Sequence, residues 1–234
     1  VESSEYLVPE DVKFYEDNKR VLIPLISLFF NVSTSELEGK AAVEVVDLYG
    51  EPFWADLVLR QARDYGETVV LTDKTATLND LANSVETLSN NGYVVDLILD
   101  VHGGGTIYLF GKDTVTSADI YKKLADKKLN LGFVYQTACY GSQQLVLWQN
   151  LGAKVASGSS DINFFPIIAP VIFLNSWTNG KDYQASVEKG YRSEISLYQN
   201  VGKIWPDVGE WAIPETINSS KMLYLGNSNL KITD

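Results

Sequence analysis

From about residue 40 onward, apolar runs of strand length alternate with amphipathic stretches of helix length, the pattern of parallel strands joined by crossover helices. Residues 41–49 predict a strand closed by Gly50. Residues 52–65 predict a helix, with Pro52 in its first turn and Trp54, Leu57, Val58 and Ala62 at helical spacing. Residues 68–72 read as a second strand and 77–88 as a helix whose apolar face is Leu78, Leu81, Val85 and Leu88, with Gly92 past its end. A third strand, 93–101, runs directly into His102-Gly103-Gly104-Gly105, and residues 106–110 look like a further strand. Thr116 or Ser117 caps the next helix, which sets Ile120, Leu124 and Leu129 inward and Lys122, Lys123, Lys127 and Lys128 toward water. A fourth strand, 131–138, runs into Cys139. A short helix over 142–151 and a fifth strand over 154–157 follow, and the sheet is expected to end there.

Beyond Ser160 the pattern becomes aromatic-rich and helical, over 164–174 (with Pro166 and Pro170 bending or breaking it) and 183–198. The aromatic residues Trp177, Tyr183, Tyr191, Tyr198, Trp205 and Trp211 recur at helical spacing and read as core. Residues 222–232 read as a terminal hairpin turning at Gly226. The chain then divides into an N-terminal arm and apolar segment packing on the core (1–40), an α/β core (41–160) and a helical extension with its hairpin (161–234), all within one domain.

The apolar run 21–30 is about half of the roughly twenty residues a membrane span needs, and Pro24 interrupts it, so no membrane span is expected. A net charge of -11 repels nucleic acid and anionic membranes and suits a cationic substrate or peptide. One Cys allows no intrachain disulfide, and one Cys with one His cannot build an ordinary zinc site. No cofactor follows from the residues, and they leave oligomeric state open.

In open α/β sheets, catalytic groups collect beyond the carboxyl ends of the strands. The single His and the single Cys both lie there, each directly after an apolar run. A thiol that attacks a carbonyl and an imidazole that manages the protons need neighbouring strand ends, and a spacing of 139 − 102 = 37 residues accommodates one crossover helix between adjacent parallel strands.

An apolar strand ending in His102-Gly103, followed by one ending in Ala138-Cys139, resembles the cysteine peptidase clan of caspases, metacaspases, legumains, clostripain and gingipains. The preceding run, residues 67–73, then a helix beginning near Asn79, then Asp96 opening the His-bearing strand, is similar to the bacterial caspase-like members. The resemblance covers about residues 41–160. It implies a three-layer α/β/α domain with a mostly parallel central sheet, here with a helical C-terminal extension. It also implies His102 as catalytic base, Cys139 as nucleophile, and the backbone N–H groups of Gly103 and Cys139 as oxyanion hole, with no third side chain required.

Calcium enters by this resemblance alone. The resemblance implies a peptide or protein substrate. A chain opening on Val fits a mature secreted form or a trimmed sequence, so a secreted, periplasmic or cell-surface protein is expected while a cytoplasmic location stays open. Where the caspase signature has Gln before Ala-Cys, this chain has Thr137, so cleavage after aspartate is not expected. Relatives that cleave after Arg or Lys place acidic groups at strand ends. Asp100, two residues before His102, is the candidate for that pocket, helped by Asp47 or Glu51, with Thr137, Ser157, Ser159 and Asp161 lining the groove. Two other readings stay open: a catalytically silent caspase-like domain that binds peptides, and a small-molecule hydrolase or acyltransferase using the same thiol.

Overall fold

The structure is a computed structural model that describes residues 20–27, 57–58, 60–62, 65–72, 75–111, 113–204, 206 and 212–234. Its strands are β1 (Arg20–Ser27), β2 (Glu67–Thr68), β3 (Leu71–Thr72), β4 (Val94–Val101), β5 (Gly103–Gly104), β6 (Ile107–Phe110), β7 (Asp113–Thr116), β8 (Leu131–Gln136), β9 (Val155–Ser159) and β10 (Met222–Gly226). Its helices are α1 (Leu78–Asn90), α2 (Ser117–Leu124), α3 (Leu145–Asn150), α4 (Ala169–Thr178), α5 (Tyr183–Val201) and α6 (Pro214–Ser219). The main sheet is ordered β10-β9-β8-β4-β1-β2, with β3 also on β1, and every neighbouring pair is parallel except β10 on β9.

Side-chain alternation divides the core in two. One face of β4 and β8, with Leu97, Leu99 and Val134, packs on Leu81 and Val85 of α1, Ile120 of α2 and Trp148 of α3. The other, with Ile98, Phe133 and Tyr135, packs on Phe173 and Trp177 of α4 and Tyr183 and Val187 of α5. There Phe133 meets Phe173 and Trp177 edge-on, with ring centroids 5.1 and 5.3 Å apart, a geometry aromatic quadrupoles favour. Trp177 and Tyr183 are therefore core, as their spacing predicts, while Trp205 and Trp211 lie outside the described residues.

Residues 20–27 are a strand inside the sheet, bonded along their full length to β4. Proline is a poor signal for such a place, because it removes a ladder donor. The Arg20 and Leu22 carbonyls accept from Gly66 and Val69 on the β2/β3 side, so by alternation the Pro24 nitrogen faces that side too. There the ladder is broken between the β2 pairing at Leu22 and the β3 pairing at Leu25, so no N–H is missed.

The sheet does not end at the fifth strand. The expected terminal hairpin is instead one strand, β10, which covers the outer edge of β9, and residues 227–234 fold back onto the start of α5 through Tyr183 N–H to Leu230 C=O, 2.8 Å. The helix expected over 164–174 begins only at Ala169, with Pro170 in its first turn where a missing N–H costs nothing. The strand expected at 41–49 lies outside the described residues, and of the helix expected at 52–65 the described residues 57, 58, 60 and 61 are helical while 62 and 65 are not.

Beneath β4 lies a buried ion pair. Asp96 accepts from Arg20 Nε (3.0 Å) and an Arg20 terminal nitrogen (2.8 Å), from the Tyr65 hydroxyl (2.9 Å) and from Phe133 N–H (2.9 Å). A Cβ on Gly132 would sit 2.0 Å from the Asp96 carboxylate, so glycine is required there.

Candidate active site

The register of β4 and β8 explains why the single His and Cys fall together. Leu97 pairs with Val134, Ile98 with Tyr135 and Leu99 with Gln136, each an offset of 37 residues, equal to the 37 between His102 and Cys139. Both lie three positions beyond the last paired residues, and Thr137 N–H still donates to Leu99 C=O at 3.0 Å. The two chain segments touch where Gly103, after His102, meets Ala138, before Cys139. A methyl group on Gly103 would sit 2.9 Å from Ala138 Cβ and 2.8 Å from the Ile107 carbonyl oxygen. Glycine after His102 and a small residue before Cys139 are thus a steric necessity of bringing the two strand ends into contact.

His102 is exposed and Cys139 half-buried. His102 leads into a small antiparallel sheet, β5-β6-β7, and its carbonyl accepts from Leu109 N–H at 2.9 Å. Gly103 with Tyr108 is the neighbouring, non-bonded pair of that ladder, which turns the Gly103 N–H away from β6. On the other side, Cys139 opens a turn in which Tyr140 has φ 56, the only described non-glycine residue at positive φ. Tyr140 N–H donates to Asp161 C=O (2.8 Å) and Gly141 N–H to Ala138 C=O (3.0 Å). This turn lies flat on β9, since a Cβ on Gly158 would come within 2.4 Å of the Gly141 carbonyl carbon. Gln144 then ties the turn to the glycine loop: its side-chain amide donates to Gly105 C=O (2.7 Å) and its carbonyl accepts from Ser117.

The candidate pocket residues have distinct places. Asp100 is buried, as is Thr137, and its carboxylate accepts the Thr137 hydroxyl at 2.6 Å across β4 and β8. Ser157 is buried against the Tyr183 hydroxyl at 2.7 Å. Ser159 is buried as well and donates to the Ala138 and Asp161 carbonyls, both at 2.9 Å, so it braces the residue before Cys139. Asp161 is exposed beside Tyr140, and its carboxylate holds that phenol above its ordinary pKa. Asp47 and Glu51 lie outside the described residues. No three or more His, Cys, Asp or Glu side chains gather as a metal site among the described residues. No described helix is long and apolar enough to cross a membrane.

Sequence reasoning passed over Asn163. Its N–H points at Cys139 Sγ at 3.4 Å, and its side-chain amide donates to Thr137 C=O at 2.8 Å. The signal was present in the polar run Ser159-Ser160-Asp161, which marks a turn, but not in a form that indicates what the turn reaches.

Comparison with protein-family models gives no match, and comparison with curated protein sequences gives none either. Among solved structures, the chain is similar to a secreted C11 cysteine protease from Bacteroides thetaiotaomicron in complex with an irreversible peptide inhibitor, at TM-score 0.50 and 15% identity over 78% of this chain. The chain covers 59% of that protease's length. It also aligns with caspase-1 from Spodoptera frugiperda at TM-score 0.48 and 9% identity, covering 89% of this chain and 86% of that one. With its mostly parallel six-position sheet, antiparallel edge strand and flanking helices, the chain has the caspase-like α/β fold of the C11 cysteine proteases.

Proposed function

We propose that the chain is a cysteine peptidase that hydrolyses peptide bonds through a Cys139–His102 dyad. The observation that carries this reading is the contact of Gly103 with Ala138, which juxtaposes the strand ends bearing the two residues. In the proposed reaction, the Cys139 thiol loses its proton to His102 and attacks the scissile carbonyl. The tetrahedral oxyanion takes hydrogen bonds from the Gly103 and Cys139 N–H groups. His102 gives the proton to the leaving amine, leaving a thioester, and water activated by His102 then releases the acid and restores the thiol. The dyad requires no cofactor.

The net charge of -11 favours cationic peptides. A basic P1 residue would pair with Asp161, the exposed carboxylate beside the Cys139 turn, with Asp100 set deeper against Thr137. Secretion, as in the similar C11 protease, fits a substrate met outside the cell.

The test is mass spectrometry of the chain after treatment with arginyl and lysyl acyloxymethyl ketones, for wild type, Cys139→Ala and His102→Ala. With one cysteine in the sequence the adduct is assigned without ambiguity. One adduct on wild type, none on Cys139→Ala and slow labelling of His102→Ala are expected. Folded wild type left unmodified by these probes and by a panel with other P1 residues would move the chain to the silent peptide-binding class.

A further inference from the structure

We infer that Asn163 is a positioning residue that fixes the Cys139 thiol in its attacking setting, an inference that takes its link to turnover from the peptidase reading above. Three bonds converge on this one residue. Its backbone N–H points at Cys139 Sγ (3.4 Å), its side-chain amide donates to Thr137 C=O (2.8 Å), and its side-chain oxygen accepts from Phe165 N–H (3.0 Å). The last closes an Asx turn, which holds the Asn163 backbone in a single conformation. The middle one ties that turn to the chain two residues before Cys139. The N–H that meets the sulfur is therefore aimed from both sides, by its own turn and by Thr137 just past the end of β8.

The loop carrying Asn163 is itself held from outside. Ser160 N–H donates to Lys221 C=O (2.8 Å), Asp161 N–H to Ser219 C=O (2.9 Å) and Phe164 N–H to Ser220 Oγ (2.8 Å). The thiol thus has a fixed donor on a loop fixed at both flanks. Without the Asn163 side chain, the turn loses its internal acceptor and its bond to Thr137 together. The sulfur is then free to leave its position against the Asn163 N–H and to swing toward solvent.

Two variants separate positioning from bulk stability. Asn163→Ala removes both side-chain bonds. Asn163→Ser keeps a short acceptor for Phe165 N–H but cannot reach Thr137 C=O. For Asn163→Ala, kcat on a peptide substrate is expected to fall about a hundredfold with KM within about twofold, the loss that misplacing a reacting atom by about 1 Å produces. Alkylation of Cys139 by iodoacetamide, a small probe that needs no peptidase machinery, is expected to run about threefold faster as the thiol becomes more accessible. Asn163→Ser is expected between wild type and Asn163→Ala in both measurements, with a melting temperature near wild type.

Wild-type kcat and alkylation rate in folded Asn163→Ser overturn the inference even if Asn163→Ala does not fold. If wild type turns over no peptide, the peptidase reading fails by itself and the alkylation rates still decide on Asn163. Unchanged rates refute the clamp, and faster rates keep it as a restraint on the thiol.

Discussion

Replacing Gly103 with alanine tests the contact on which the active-site reading stands. The added methyl would lie 2.8 Å from the Ile107 carbonyl oxygen and 2.9 Å from Ala138 Cβ. Neither neighbour is the flexible end of a side chain, since one is backbone in the β5-β6 hairpin and the other is bonded directly to the main chain before Cys139. The strand ends must then separate. Overpacking of this kind costs about 1–3 kcal/mol, and a chain of this length loses about 2–4 °C of melting temperature per kcal/mol. A drop of about 2–12 °C follows. A displacement of His102 from Cys139 by about 1 Å would lower kcat about a hundredfold. Ala138→Gly removes one of the two clashes and leaves the carbonyl, so Gly103→Ala combined with Ala138→Gly should recover part of both losses. The assay is a double-mutant cycle in melting temperature and peptide turnover, with an expected coupling of about 0.5–3 kcal/mol. Strict additivity would refute the claim that the His and Cys segments meet at this contact.

Two further outcomes follow from buried charge. Asp96→Ala leaves Arg20 buried without its bidentate carboxylate and also strips an acceptor from Tyr65 and from Phe133 N–H, so denaturant titration should show a loss of about 3–5 kcal/mol. Glu194 of α5 is buried and accepts from Ala169 N–H (2.7 Å) and Ile167 N–H (3.3 Å) at the start of α4, with burial raising its pKa from 4.5 to about 7 against the opposing pull of those N–H groups. Because the folded pKa exceeds the unfolded one, the stability from the neutral acid is fully present below pH 4.5 and is lost as pH rises through about 7, by about 3 kcal/mol. Glu194→Gln should remove most of the difference in stability between pH 5 and pH 8, and equal pH dependence in the two proteins would sink this assignment.

The sequence made legible what local periodicity and strand ends encode. β4, β8 and α1 lie where the apolar runs and the helical stripe place them, and α2 has its N-cap at Thr116 with a capping box to Asp119, but it ends at Leu124, short of the Leu129 that the expected stripe included. His102 and Cys139 could be linked because each follows an apolar run and their spacing of 37 admits one crossover helix, and the register offset of β4 and β8 equals that spacing. What stayed hidden depends on long-range pairing. β1 carries Pro24, and only the broken ladder between β2 and β3 makes room for it. β10 has the alternation of a hairpin arm, yet its partner is β9, more than sixty residues earlier. Parity along its own strand places Asp100 on the same side as His102, whereas its bond to Thr137 is set by the neighbouring strand. Asn163 reaches Cys139 across 24 residues through a backbone N–H, which every non-proline residue possesses and no pattern marks.

The C-terminal third also accounts for the unusual backbone beside Cys139. A tyrosine at φ 56 costs about 1–2 kcal/mol relative to ordinary geometry and persists only where its surroundings over-determine it. Tyr140 is so determined: its N–H is held by Asp161 C=O, the preceding carbonyl of Ala138 by Ser159 and Gly141, and the following glycine by its contact with Gly158. Of these groups, Ser159 and Gly158 lie on β9, whose free edge β10 covers, and Asp161 lies on the loop that residues 219–221 brace. The strain at Tyr140 is thus maintained by an edge strand and a loop brace from later in the chain, which is why a segment carrying neither His102 nor Cys139 belongs to the construction of the candidate site.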